Sequence, residues 1–225
     1  MREPAPSQQA IDGPVKASES PPPESYWVQR GARVIGCGSF ADVLACRQLE
    51  TYRAIFELLG PAADRVLDLG CNVAVLGQLL RHWGFTGAYT GLDSNPHAVT
   101  RARHDLPNGN FWVANARSLP LASHTVARVV IKDVLEHLED FRPALREAAR
   151  VARDLLVVGC YIPWGVGPAA IVRHRHGFFE NRYCRSEVLD DLAACGWRLW
   201  KSRKTREQDG RENEVLAFVP TQSWP

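Results

Sequence analysis

Apolar residues fall in two rhythms along this chain. Val43, Leu44, Leu49, Tyr52, Ile55, Phe56 and Leu59 recur at helical spacing, and Gly60-Pro61 supplies a stop, so one helix is expected from Ala41 to Leu59. Short, nearly continuous apolar runs follow, the signature of strands buried on both faces. They predict strands from Arg65 to Gly70, Ala88 to Asp93, Phe111 to Ala114, Val126 to Ile131 and Leu155 to Tyr161. Helical patterns lie between most of them, near Val75 to Trp83, from Asn95-Pro96 to about His104, and from Phe141 to Ala152. Ser186 is expected to cap a further helix ending at Cys195-Gly196. Two last strands, Trp197 to Lys201 and Glu214 to Val219, sit close enough to be antiparallel neighbours across a turn at Asp209-Gly210. The expected fold is therefore α/β: a seven-stranded, mostly parallel sheet with helices on both faces and the last strand antiparallel.

Composition trims this picture at one end. Residues 1–25 hold six prolines among Ser, Gln and Glu, too little apolar area to offset ordering entropy, and read as a disordered tail. Residues 26–225 read as a single domain, with 26–60 as an N-terminal lid and helix. The net charge of +2 and the apolar share of 45% describe an ordinary globular protein, and neither implies nucleic acid or an anionic membrane. No apolar run approaches the roughly 20 residues of a membrane span, and no signal peptide opens the chain, which points to the cytoplasm. The six cysteines show no Cys-x-x-Cys pair and no zinc-ligand spacing, so no metal is expected.

The chemistry gathers where the expected strands end. Gly70 closes the first strand at a sharp turn that opens a helix, and the helix N-terminus offers N–H groups to an anionic group placed there. Asp68 precedes that turn. Asp93 lies 23 residues beyond Gly70 at the end of the second strand, where an acid can accept both hydroxyls of a ribose or else cap the next helix. Asn115 follows the third strand and can accept from an adenine amino group or hold its own turn. Asp133 ends the fourth strand, and His137 four residues on can pack locally or meet a substrate.

Four ordered motifs carry a family resemblance over about Tyr26 to Val219: Val66-Leu67-Asp68-Leu69-Gly70-Cys71, Gly91-Leu92-Asp93-Ser94, Asn115-Ala116-Arg117-Ser118-Leu119-Pro120 and Asp133-Val134-Leu135-Glu136-His137-Leu138. Through them the chain resembles the class I S-adenosylmethionine-dependent methyltransferases, which have a Rossmann-like seven-stranded fold. The resemblance implies methyl transfer from S-adenosylmethionine, leaving S-adenosylhomocysteine, in small-molecule biosynthesis. It implies cofactor contacts from Arg30, Asp68, Gly70, Cys71, Asn72, Asp93, Ser94, Asn115, Ala116 and Asp133. The family prefers Gly where Asn72 and Ala74 stand; Asn tolerates positive φ well, and Ala adds only one methyl group.

The segment 163–185 mixes Trp164, Phe178 and Phe179 with Arg173, Arg175 and Arg182 beyond the fifth strand, a candidate substrate loop for an anionic or aromatic small molecule. His174 or His176 could serve there as general base, and Asp133 could position the acceptor. The expected acceptor is thus a small molecule methylated at O or N. Nucleic acid is disfavoured because no Asn/Asp-Pro-Pro-Tyr type motif ends the fourth strand, although the basic residues leave RNA as an alternative. A non-catalytic cofactor-binding module is the second alternative, motivated by Asn72 and Ala74. Gly36-Cys37-Gly38-Ser39-Phe40-Ala41 matches a dinucleotide fingerprint, but no acid ends a second strand about twenty residues on, which argues against a nicotinamide enzyme.

Overall fold

The computed structural model describes residues 40–45, 49–61, 63–174 and 178–222. Arg30, His176, the 1–25 tail and the Gly36 to Ser39 part of the glycine-rich turn lie outside the described residues. Among the described residues the elements run α1 (Phe40–Leu44), α2 (Leu49–Leu59), β1 (Arg65–Leu69), α3 (Val75–His82), β2 (Ala88–Asp93), α4 (Pro96–Asp105), β3 (Asn110–Val113) and β4 (Val126–Lys132). A 3-10 turn (Leu135–His137), α5 (Arg142–Val151), β5 (Ala152–Gly159), α6 (Arg185–Ala194), β6 (Trp197–Arg206) and β7 (Glu212–Pro220) complete the order.

The seven strands form one sheet in the order β3-β2-β1-β4-β5-β7-β6. Strands β1 to β5 are mutually parallel, and β7 inserts antiparallel between β5 and β6. The alternation of side chains splits the core in two. Val129, Ile131, Leu156, Val158, Leu216 and Phe218 face α5 and α6. Val130, Leu155, Val157, Val215 and Ala217 face α2, α3 and α4. Burial on both faces explains the near-continuous apolar runs, and parallel pairing brings the carboxyl ends of β1 to β5 to one edge.

The helix expected from Ala41 to Leu59 is divided, α1 ending at Leu44 and α2 starting at Leu49. Glu207, at the end of the β6–β7 hairpin and 4% exposed, accepts the backbone N–H of Thr51 (3.0 Å) and of Glu50 (3.3 Å), together with the Thr51 hydroxyl. Those amides belong to the first turn of α2, where no carbonyl precedes them within the helix. A carboxylate 156 residues away supplies the cap and fixes where α2 begins. Replacing Glu207 with Ala leaves these donors unpaired and is expected to cost about 1.5 to 3 kcal/mol. Thermal denaturation would show this as a fall in Tm of roughly 3 to 12 °C; an unchanged Tm would contradict the assignment.

Two smaller departures share a cause in capping and turn chemistry. The cap of α6 is Cys184, not Ser186, because Glu187 reaches back to the Cys184 amide at 3.4 Å in a capping box. The last hairpin is longer than expected and turns at Gly210, at φ 82°, with Glu207 N–H donating to Arg211 O at 2.8 Å.

Candidate active site

The turn after β1 is built on three left-handed residues: Gly70 at φ 77°, Asn72 at 50° and Ala74 at 60°. The two positions filled by Asn and Ala are therefore the ones whose backbone conformation favours glycine, and Ala74 carries strain of about 1 to 2 kcal/mol. Gly70 and Cys71 both donate to Leu92 O, at 2.7 and 3.0 Å, which pins the turn to the end of β2. A Cβ on Gly70 would lie 2.2 Å from Val134 Cγ2. The turn after β4 thus sits directly on the turn after β1. Ala74 precedes α3 without a side-chain cap, so the first-turn amides of α3 face this cradle with no side chain of that residue upon them. Cys71 is buried beside it, its Sγ fitting the space that Gly91 leaves by lacking a side chain. Burial pushes the Cys71 thiol up, which favours its neutral form.

Asp93 is half-buried at the end of β2. Its Oδ2 accepts from Asn72 N–H at 2.9 Å and its Oδ1 from Asn95 N–H at 2.8 Å. Burial raises its pKa, and the Asn95, Asn72 and Ser94 amides act against that rise. Capping of α4 falls to Asn95, whose Oδ1 accepts from His97 N–H at 2.9 Å and Ala98 N–H at 3.3 Å ahead of Pro96. Asp93 is therefore not the helix cap, and its carboxylate keeps lone-pair capacity beyond these backbone amides.

Asp68 is buried, with Oδ2 accepting from the Tyr89 hydroxyl. Burial pushes its carboxyl up to about 7, against the lowering effects of Tyr89 and Lys132. Asn115 lies exposed beyond β3, where its Oδ1 accepts from Arg117 N–H at 2.9 Å, so the side chain holds its own turn. Ala116 packs on the core beneath.

Asp133 is left-handed, at φ 56°, and bonds through Oδ2 to the buried Lys132 ammonium, which also lies 4.2 Å from the Tyr52 ring centroid. Its Oδ1 is buried without a hydrogen-bond partner among the described residues. His137 does not reach outward from this turn, since its Nδ1 lies 2.8 Å from Phe179 O.

The segment after β5 is a paired arm. Bridges join Ala170 to Arg182, Arg173 to Phe179 and Gly165 to Cys184. Sequence reasoning missed what anchors it. Asn181 donates to Leu138 O at 2.7 Å and accepts from Val172 N–H at 2.8 Å; the Tyr183 hydroxyl donates to Leu138 O; Glu136 Oε1 accepts from Tyr161 N–H at 2.6 Å. A buried Asn and Glu contacting backbone far away leave no periodic trace. His174 stacks on Phe178 at 4.4 Å and its Nε2 lies 2.9 Å from Glu180 Oε2, an ion-pair contact outside hydrogen-bond geometry. The arm thus gives this ring partners of its own.

Residues 67–155 match a family model described as a methyltransferase domain. The chain is 27% identical over 191 residues to a Mycobacterium tuberculosis protein described as a probable S-adenosylmethionine-dependent methyltransferase, covering 77% of this chain and 68% of the relative. Its fold is similar to that of the 1,6-didemethyltoxoflavin-N1-methyltransferase of Burkholderia thailandensis with bound 1,6-didemethyltoxoflavin and S-adenosylhomocysteine (TM-score 0.67, 16% identity, 94% of each chain). It is also similar to the magnesium protoporphyrin IX methyltransferase of Synechocystis with bound S-adenosylmethionine (TM-score 0.66, 15% identity, 91% of this chain and 100% of that one).

Proposed function

We propose that this chain, a class I S-adenosylmethionine-dependent methyltransferase, methylates a small-molecule acceptor at oxygen or nitrogen, the acceptor entering between Asp133 and the arm. The observation that carries the reading is the contact between the Gly70 and Asp133 turns, made by Val134 filling the space over Gly70. It sets an acid with an unpartnered oxygen beside the cradle for the cofactor's methionyl end. The residues fit the cofactor. Gly70, Cys71 and Asn72 form the left-handed turn before α3, held against the Asp133 turn by Val134. Asp93 has lone pairs for ribose hydroxyls, with Ser94 beside it. Asn115 and Ala116 border the adenine position. Asp68 offers a carboxylate to the methionyl ammonium, and Arg30, outside the described residues, is assigned to its carboxylate.

The bound cofactor supplies an electrophilic methyl group, so the protein's share of the work is alignment, dehydration and proton handling. Asp133 is the favoured positioning acid. His174 is the less favoured candidate because its ring is already stacked on Phe178 and set against Glu180, and His176 lies outside the described residues. A small acceptor is supported by the fold neighbours, whose bound or named partners are a heteroaromatic and a porphyrin. Residues 163–185, with Trp164 and the arginines, suit an aromatic or anionic molecule. Methyl transfer from labelled S-adenosylmethionine to pooled phenols, amines and heteroaromatics, run beside bulk RNA, tests this. Label in small molecules alone supports it, and label in RNA alone contradicts it.

The raised pKa of Asp68 sets a pH dependence. Below about 7 the carboxyl is protonated, and a cationic ammonium favours the ionised form. S-adenosylhomocysteine affinity should therefore climb as pH rises toward 7, by up to about tenfold per unit, and level off above it. Calorimetry at several pH values would detect proton release below 7; a flat profile between pH 5.5 and 7 would contradict the role of Asp68.

A further inference from the structure

Three acids surround one buried cation at the carboxyl end of β4. Lys132 is 4% exposed in its side chain and bonds to Asp133 Oδ2. Asp68 and Glu136 are close enough to act on it or on Asp133 electrostatically, as does the Cys160 thiol. One oxygen in this group, Asp133 Oδ1, is buried and lacks a hydrogen-bond partner among the described residues, whereas the 0% exposed Glu136 takes the Tyr161 amide and the Cys160 thiol. Buried acceptors are ordinarily satisfied, so Asp133 Oδ1 asks for a donor. Asp133 is also held in the left-handed region at φ 56°, a strained conformation retained at a carboxylate beside the Gly70 cradle.

We propose that Lys132 is a positioning residue that clamps Asp133 by Oδ2 and presents Oδ1 to the acceptor, making the enzyme selective for reacting atoms that carry hydrogen, as in hydroxyls, phenols and amines, over carboxylates. The proposal rests on the methyltransferase reading above and narrows its acceptor class. Because Oδ1 has no N–H or O–H of the described residues upon it, an X–H group of the acceptor satisfies it directly. In the transfer, the acceptor's lone pair forms the bond to the methyl carbon as the carbon–sulfur pair returns to sulfur, and the X–H proton passes to Asp133 Oδ1. A carboxylate at the same place brings no hydrogen. It also faces Asp133, Glu136 and Asp68 while the ammonium that would attract it is already engaged by Asp133 and the Tyr52 ring. An anionic group elsewhere on the acceptor remains compatible with the arginines of the arm.

The test uses the full chain saturated with S-adenosylhomocysteine and three probes of similar size, phenol, benzylamine and benzoate, followed by calorimetry and ligand-observed NMR. Phenol and benzylamine are expected to bind at least tenfold more tightly than benzoate. Asp133→Asn, at a partly buried side chain, and Lys132→Met, in the core, should each reduce that preference to within about threefold, and Lys132→Arg should restore it in part. A merely structural role for Lys132 would lower stability without changing the ratio. Equal binding of benzoate, no binding of phenol or benzylamine, or a preference that survives in both Asp133→Asn and Lys132→Met would overturn the proposal. Failure of the unmutated chain to bind S-adenosylhomocysteine would instead overturn the cofactor assignment beneath it.

Discussion

Replacing Asp93 with Ala is expected to weaken S-adenosylhomocysteine binding by about 10- to 150-fold, the equivalent of roughly 1.5 to 3 kcal/mol for hydrogen bonds to a charged acceptor. The size of the effect follows from two features of the site. Both oxygens already hold a backbone amide, from Asn72 and Asn95, which fixes the carboxylate in one orientation. A ribose therefore meets a preorganised acceptor and spends little on ordering it. The same two bonds tie the β1 turn to the entry of α4, so the substitution also loosens the cradle. Asp93→Asn separates the contributions, because it keeps one acceptor oxygen and loses the charge, and its loss should fall between those of wild type and Asp93→Ala. Calorimetry on the three proteins reads this directly, and equal affinities would remove Asp93 from the cofactor site.

Gly70→Ala should produce the largest loss of stability. An alanine at φ 77° costs about 1 to 2 kcal/mol in backbone strain. Its Cβ would also stand 2.2 Å from Val134 Cγ2, and forcing that side chain and its turn aside adds about 1 to 3 kcal/mol. At 2 to 4 °C per kcal/mol for a chain of this size, Tm should drop by about 5 to 15 °C. Pushing the Val134 turn outward would move Asp133 as well, so methyl transfer should suffer beyond what the lost stability explains. The double variant Gly70→Ala with Val134→Ala relieves the clash and leaves the strain, and should recover part of the Tm. If the single substitution left Tm within 1 or 2 °C of wild type, the close approach of the two turns would be wrong.

What could be read in the sequence was what is local. The strands β1 to β5 announce themselves because burial on both faces demands continuous apolar runs, and Asn95-Pro96 announces α4 because a cap and an N1 proline are adjacent in sequence. The Gly70 turn was legible for the same reason, as was the tolerance of Asn72 for positive φ. The alternatives at Asp93 and Asn115 needed three dimensions. Asn95 takes the capping role that could have belonged to Asp93, whereas Asn115 proves to hold its own turn. Glu207 capping α2 from 156 residues away, and Asn181 and Tyr183 stitching the arm to Leu138, were invisible. Side chains that pair with distant backbone create no periodicity and no fixed spacing. The buried Lys132 was hidden in plain view at the end of an apolar strand, where a lone charge reads as a strand boundary until its partners Asp133 and Tyr52 are seen.

A crystal structure of the full chain with S-adenosylhomocysteine tests the cofactor site most directly. The ribose hydroxyls should be bonded to Asp93, the amino-acid end should lie over the Gly70 turn toward Asp68, and the sulfur should face Asp133 across Val134. A ligand bound with its ribose away from Asp93, or with its sulfur turned from the Asp133 turn, would contradict the account.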